Sequence, residues 1–119
     1  MATILIADDS ATARVQLERI LSPLGHKLLF ASDGAEAQAL IDGVDLFILD
    51  VVMPKVNGFE LCRALKSNPE TAPKPVFLVT SMDREPDRYW GLKQGADEYI
   101  VKPVDPEQLR VKVRGRLAS

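Results

Sequence analysis

Five short, near-continuous apolar runs recur along this sequence at intervals long enough to hold a helix. That rhythm constrains the fold more than any other feature. The runs are Thr3 to Ala7, Leu28 to Ala31 (starting as early as His26), Leu46 to Leu49, Val76 to Val79 and Tyr99 to Val101. A strand with one wet face alternates in polarity, whereas an unbroken apolar run marks a strand buried on both faces, as in a parallel sheet. Parallel neighbours also need long crossover connections, usually helical, and the spacers are long enough to supply them. The expected fold is α/β, an open doubly wound sheet of five βα units with helices on both faces. The 119 residues are one domain's worth, so a single domain over 1–119 is expected.

The spacers carry helix punctuation. Asp33-Gly34-Ala35-Glu36 and Asn57-Gly58-Phe59-Glu60 read as capping boxes opening the second and third helices. Asp105-Pro106-Glu107-Gln108 opens the fifth, with proline at its first position. Gly25 and Gly95 fall where the first and fourth helices should stop. The segment from Asn68 to Pro75 holds three prolines and reads as the loop before the fourth strand. On the fourth helix Leu92 reads as a core residue, with Tyr89 on a neighbouring face. Trp90 lies two residues from Leu92, about 200° around the helix, and should be exposed.

Composition narrows the function classes. A formal net charge of −2 gives no global reason to expect nucleic acid or a membrane surface as partner. A single cysteine, Cys62, excludes an internal disulfide, and a single histidine, His26, excludes a multi-histidine metal site. No apolar run approaches the ~20 residues of a membrane span. Asp8, Asp9 and Arg14 interrupt the only early apolar stretch, so no signal peptide is expected. Together these point to a cytoplasmic protein. Nothing after the fifth helix looks like an output domain, which fits either a free-standing protein or a piece of a longer one.

The ends of the strands carry the chemistry. The first runs into Asp8-Asp9, the third into Asp50, the fourth into Thr80-Ser81 and the fifth into Lys102-Pro103. In an open parallel sheet, ligands bind beyond the carboxyl ends of the strands, where strand order reverses. Three carboxylates, a hydroxyl and an ammonium should therefore meet in one crevice. Taken alone, an Asp-Asp pair is usually a turn or cap, a Lys-Pro a loop, and a strand-end threonine packing. Their coincidence at successive strand ends overturns those readings. Crowded carboxylates need a counter-charge, and an oxygen-lined acidic site suits Mg²⁺. Cations around one carboxylate are the parts for phosphoryl transfer, with that carboxylate as nucleophile.

On these residues the chain resembles the two-component response regulator receiver domains. Ile4-Leu5-Ile6-Ala7-Asp8-Asp9-Ser10 is similar to the family's opening. Asp45 to Pro54, followed by Asn57-Gly58, is similar to its phosphoacceptor strand and loop. Val79-Thr80-Ser81 and the stretch from Gly95 to Pro103 are similar to its last two strands. The resemblance implies a flavodoxin-like (βα)5 fold with strand order 2-1-3-4-5. It implies Asp50 as phosphoacceptor, Asp8, Asp9, Asp50 and the Val52 carbonyl as Mg²⁺ ligands, with Asp9 the favoured direct one, and Lys102 on a phosphoryl oxygen. Thr80 and Tyr99 would be the switch pair, Thr80 moving onto the phosphoryl group and Tyr99 swinging inward behind it. The Lys102-Pro103 bond would be cis, turning the ammonium back towards Asp50.

The implied partners are a sensor histidine kinase or phosphotransfer protein as donor and an output domain or protein downstream. By the same resemblance the helix 4–strand 5–helix 5 face reads out the change, to a partner or to a second copy in a homodimer, with Trp90 and the basic row Arg110, Lys112, Arg114 and Arg116 as elements of it unless Trp90 only lies flat over its own helix. Alternatively, that row is only a solvated face. The implied protein is a switch more than an enzyme, catalysing its own phosphorylation and slow dephosphorylation. Val52 and Met82 are apolar where the family often has polar residues, which bears on phosphoryl lifetime. Two alternatives stand beside this reading. A haloacid-dehalogenase-like aspartyl phosphatase needs a second acid two residues after the nucleophile, where Val52 stands. A phosphorylation-independent binding module would have no use for Asp9, Asp50, Thr80 and Lys102. Nucleotide binding is weaker still, for want of a Gly-rich dinucleotide turn or a Walker lysine.

Overall fold

The computed structural model describes residues 1–117. Five parallel strands form one sheet in the order β2-β1-β3-β4-β5: β1 Thr3–Ala7, β2 Lys27–Ala31, β3 Leu46–Leu49, β4 Val76–Thr80 and β5 Glu98–Val101. This is the expected flavodoxin-like topology. Each strand lies within a residue of its apolar run, with β4 and β5 one residue longer than read and β2 starting inside the range read for it. The central strands are almost wholly apolar because both faces are covered; in β3 and β4 every residue is buried. The edge strands β2 and β5 are only partly buried.

Side chains alternate across the sheet and divide the core in two. Leu5, Ala7, Phe47, Leu49 and Leu78 face one way and pack with Ala37, Leu61, Cys62 and Leu65. These last come from α2 Gly34–Gln38 and α3 Gly58–Ser67, which share that face with α4 Glu85–Lys93. Ile4, Ile6, Leu46, Ile48, Phe77 and Val79 face the other way. They meet Leu17 and Leu21 of α1 Ala11–Leu21 and Leu109 and Val113 of α5 Pro106–Leu117.

The caps fall close to where the sequence places them. Asn57 and Glu60 form a reciprocal capping box. Asp33 accepts from the Glu36 amide, but the Glu36 carboxylate reaches one residue further back, to the Ser32 amide. Asp105 accepts from the Gln108 amide. After α1 a 3₁₀ turn over Ser22–Leu24 intervenes before Gly25, whose φ of 79° ends the segment. Gly95, at φ 104°, follows α4.

Helix α4 departs from expectation. Leu92 is exposed, and the inward face of the helix is built from Asp87 and Gly91. A Cβ on Gly91 would lie 2.8 Å from the Tyr99 ring and 3.1 Å from Leu78. The helix sits too close to the sheet for a leucine to fit beneath it. Trp90 is exposed as expected, at 47%.

Candidate functional site

Strand register builds the site. Ala7 pairs with Leu49, and the ladder runs one step further through the Asp50 amide to the Ala7 carbonyl (2.9 Å) and the Asp8 amide to the Ala31 carbonyl (3.0 Å). Asp8 and Asp50 therefore leave adjacent strands side by side, at the point where the chain reverses strand order. On the other side of β3, Thr80 of β4 pairs with Val101 of β5, and the Lys102 amide bonds the Thr80 carbonyl at 2.8 Å. The Lys102-Pro103 bond is cis.

The Lys102 ammonium lies 2.7 Å from Asp8 Oδ2 and 3.1 Å from Asp50 Oδ2. Asp8 and Asp50 are buried and Asp9 is exposed, yet all three offer a carboxylate oxygen within 4.8 Å of the others. The remaining lone pairs are partly used. Asp8 Oδ1 accepts from the Ser10 amide at 2.9 Å, and Asp50 Oδ1 from the Val52 amide at 3.3 Å. Burial alone would lower the Lys102 pKa. Its hydrogen bonds to Asp8 and Asp50, with their charges, outweigh that and hold it above its ordinary value. Three formal negative charges face one ammonium, leaving a deficit that one divalent cation would balance; oxygen donors alone, close-set and partly exposed, fit Mg²⁺.

Other residues stand around this centre. Thr80 is fully buried, and its Oγ1 accepts from the Met82 amide at 3.4 Å rather than touching a carboxylate. Tyr99 is buried, its hydroxyl donating to the Met82 carbonyl at 2.8 Å, so it already lies inward here. Burial pushes the Tyr99 pKa up, reinforced by the charges of Asp87, Asp50 and Asp83 and opposed by Arg88. Val52 is 59% exposed, and Met82 is half-buried against the core. His26 precedes β2, at the opposite end of the sheet from Asp50, where its Nδ1 accepts from the Ala2 amide at 3.0 Å.

Two contributors were not read from the sequence. Arg14 on α1 donates from Nη1 to the Asp8 carbonyl at 2.6 Å, fixing the loop that carries Asp8 and Asp9. Gly58 lies so close to the Asp50 carbonyl that a Cβ would collide with it. The Asn57-Gly58 pair signalled a helix start; the close approach is a tertiary fact with no local trace.

The family description "Response regulator receiver domain" matches residues 4–114. Protein PilH of Pseudomonas aeruginosa is 42% identical over 121 residues, covering 100% of both chains. The transcriptional regulatory protein CpxR of Klebsiella pneumoniae is 39% identical over 118 residues, 98% of this chain but 50% of that protein. The chain thus spans the whole of the first relative and half of the second. Among solved structures, the signal receiver domain of a signal transduction histidine kinase from Syntrophus aciditrophicus is 35% identical with a TM-score of 0.91, covering 99% of this chain and 91% of that one. Sequence, fold and strand-end chemistry agree: the chain belongs to the response regulator receiver domain family of two-component signalling.

Proposed function

We propose that residues 1–119 form one receiver domain, that Asp50 accepts a phosphoryl group from the phosphohistidine of a partner kinase or phosphotransfer protein, and that the domain relays the change to an output domain or protein. One observation carries this reading: the Lys102 ammonium bridges Asp8 and Asp50 at the strand-order reversal, with Asp9 beside them. An Asp50 oxygen attacks phosphorus as the bond to the donor's imidazole nitrogen breaks, and the electron pair leaves with the imidazole. Asp8, Asp9, Asp50 and the Val52 carbonyl would hold Mg²⁺, which neutralises charge on the transferring oxygens. Lys102 pairs with one phosphoryl oxygen, and Thr80 gives up its Met82 contact to donate to another. Tyr99, seated on the Met82 carbonyl, follows that movement.

A groove of about 290 Å³ between α1 and the connection into α5, lined by Ala13, Leu17, Ile20, Pro103, Val104 and Pro106, opens beside Lys102. Its apolar lining suits side chains of a donor helix. The face of α4, β5 and α5 carries exposed Tyr89, Leu92, Val101 and Val111, a surface on which an output partner or a second copy can dock. The compartment is the cytoplasm, in keeping with a buried free thiol; among the described residues no helix is long and apolar enough to cross a membrane.

Intact mass after treatment with a small-molecule phosphodonor and Mg²⁺ tests the reading. The wild type should gain one phosphoryl group, and Asp50→Asn should gain none. Labelling of Asp50→Asn at the wild-type level would place the acceptor elsewhere.

A further inference from the structure

We propose that the groove between α3 and α4 is a second docking site, distinct from the α4–β5–α5 face, and that it takes an acidic segment of a partner protein. The groove is about 410 Å³ and is lined by Arg63, Lys66, Ser67, Trp90, Lys93 and Gln94. Three cations and no carboxylate line it, in a chain whose formal net charge is −2. Lys66 is already committed: it pairs with Asp97 at 2.8 Å and donates to the carbonyls of Ala72 and Lys74. Arg63 and Lys93 are exposed, and among the described residues neither makes an ion pair.

Arg14, Arg19, Lys27 and Arg88 also make no ion pair among the described residues, but only here do two such cations line one groove with an exposed tryptophan. Each cation of the basic row on α5 has a carboxylate beside it, though partners are shared, with Arg110 and Arg114 on Glu107, Lys112 on Glu98, and Arg116 on Asp97 and Glu98. The chain thus pairs the charges of its most basic helix and leaves two free around a tryptophan. Lys93 sits 5.7 Å over the Tyr89 ring, a contact that holds the ammonium without neutralising it. Trp90 is 47% exposed on the groove wall, a large flat anchor for an apolar side chain. Two free cations flanking an indole match two carboxylates flanking an apolar residue. They are too few for a nucleic-acid backbone, whose binding rests on many phosphate contacts.

Trp90 is the only tryptophan, so it reports on its own site. The probe is the peptide acetyl-Glu-Leu-Glu-Glu-Leu-Glu-amide, titrated at low salt against the full chain. Trp90 fluorescence should change saturably, and amide resonances should move at Arg63, Trp90 and Lys93. Arg63→Gln combined with Lys93→Gln should weaken binding about tenfold and remove most of its salt dependence. Trp90→Ala, followed by the amide shifts, should weaken it about as much. Both variants alter exposed side chains, and unchanged uptake of the phosphoryl group verifies their fold. The proposal is overturned by any of four results: no saturable binding at millimolar peptide, equal binding of the peptide with Gln for Glu, shifts centred on Val101 and α5, or tighter binding of oligothymidylate in the same groove.

Discussion

Val52 and Met82 are the side chains next to the site that carry no hydrogen-bonding group. The Val52 amide holds Asp50 Oδ1, while the Met82 amide holds the Thr80 hydroxyl. In the proposed switch, a water that hydrolyses the aspartyl-phosphate must approach in line with phosphorus, opposite Asp50. Neither valine nor methionine can orient it, and both can occupy its path. Positioning is a large part of phosphoryl-transfer catalysis. Replacing Val52 with Asn and Met82 with Glu should therefore speed loss of the phosphoryl group by about tenfold at constant Mg²⁺. A half-life that stays the same or lengthens would mean that these residues do not gate the water. Cys62 offers a second test. Its thiol is fully buried, 3.7 Å from the Gln94 carbonyl, and burial pushes its pKa up from 9.0 to about 11, with Lys66 opposing and Asp97 assisting. The unfolded chain loses this proton first, so the stabilisation is complete below the ordinary pKa and fades as pH rises towards the folded value. The unfolding free energy of the wild type, from urea denaturation, should fall by about 1 kcal/mol between pH 9 and about 10 through this thiol. Cys62→Ala should be less stable throughout yet flatter across that window. A parallel fall in the variant would assign the slope to other groups.

Two glycines in helices test the packing of the elements, because the same substitution should act with opposite sign. Gly115 lies in α5 with nothing near its missing Cβ, so Gly115→Ala should gain about 0.5–1 kcal/mol from helix propensity and a less disordered unfolded chain. Gly91 in α4 lies against Tyr99 and Leu78, so Gly91→Ala should lose about 1–3 kcal/mol as helix and ring are forced apart. Urea denaturation measures both; a neutral Gly91→Ala would mean that α4 does not press on Tyr99. These positions also explain what was legible beforehand. The strands could be read nearly to the residue because a sheet covered on both faces writes its burial as unbroken apolar runs. Helix α3 could be read because Leu61, Cys62 and Leu65 repeat on its inner side and Asn57 and Glu60 announce its start. Helix α4 could not: its inner side is a glycine and a buried aspartate, while Tyr89, Trp90 and Leu92 point outward. Hydropathy therefore indicated the wrong face, and Leu92 was assigned to a core it does not enter. At the site, Asp8, Asp9, Asp50, Thr80 and Lys102 were legible because each follows an apolar run. Arg14 was not, since an arginine on an early helix carries no sign that it will cap the Asp8 carbonyl.

At the scale of the molecule, the site is assembled from residues that only folding brings together. Lys102 bonds Asp8 across 94 residues of sequence and Asp50 across 52. The unfolded chain holds at most the Asp8-Asp9 pair, so a Mg²⁺ ion at the proposed site would bind the folded state selectively and its affinity would become part of the global stability. With metal at a hundred times its dissociation constant the gain is about 2.7 kcal/mol, roughly ten degrees in the melting temperature of a domain of this size. Asp9 isolates the effect. It is exposed and, among the described residues, makes no ion pair, so replacing it removes little packing, while one of the three crowded carboxylates disappears. Asp9→Asn should leave the melting temperature in EDTA unchanged or slightly higher, because less like charge is held together without a counter-ion. The same variant should lose most of the rise that Mg²⁺ produces in the wild type. Calorimetry with and without Mg²⁺ at fixed ionic strength separates this from screening. A full wild-type rise in Asp9→Asn would mean that the acidic cluster does not hold the metal through Asp9, and the electrostatic account of the site would have to be rebuilt around Asp8 and Asp50 alone.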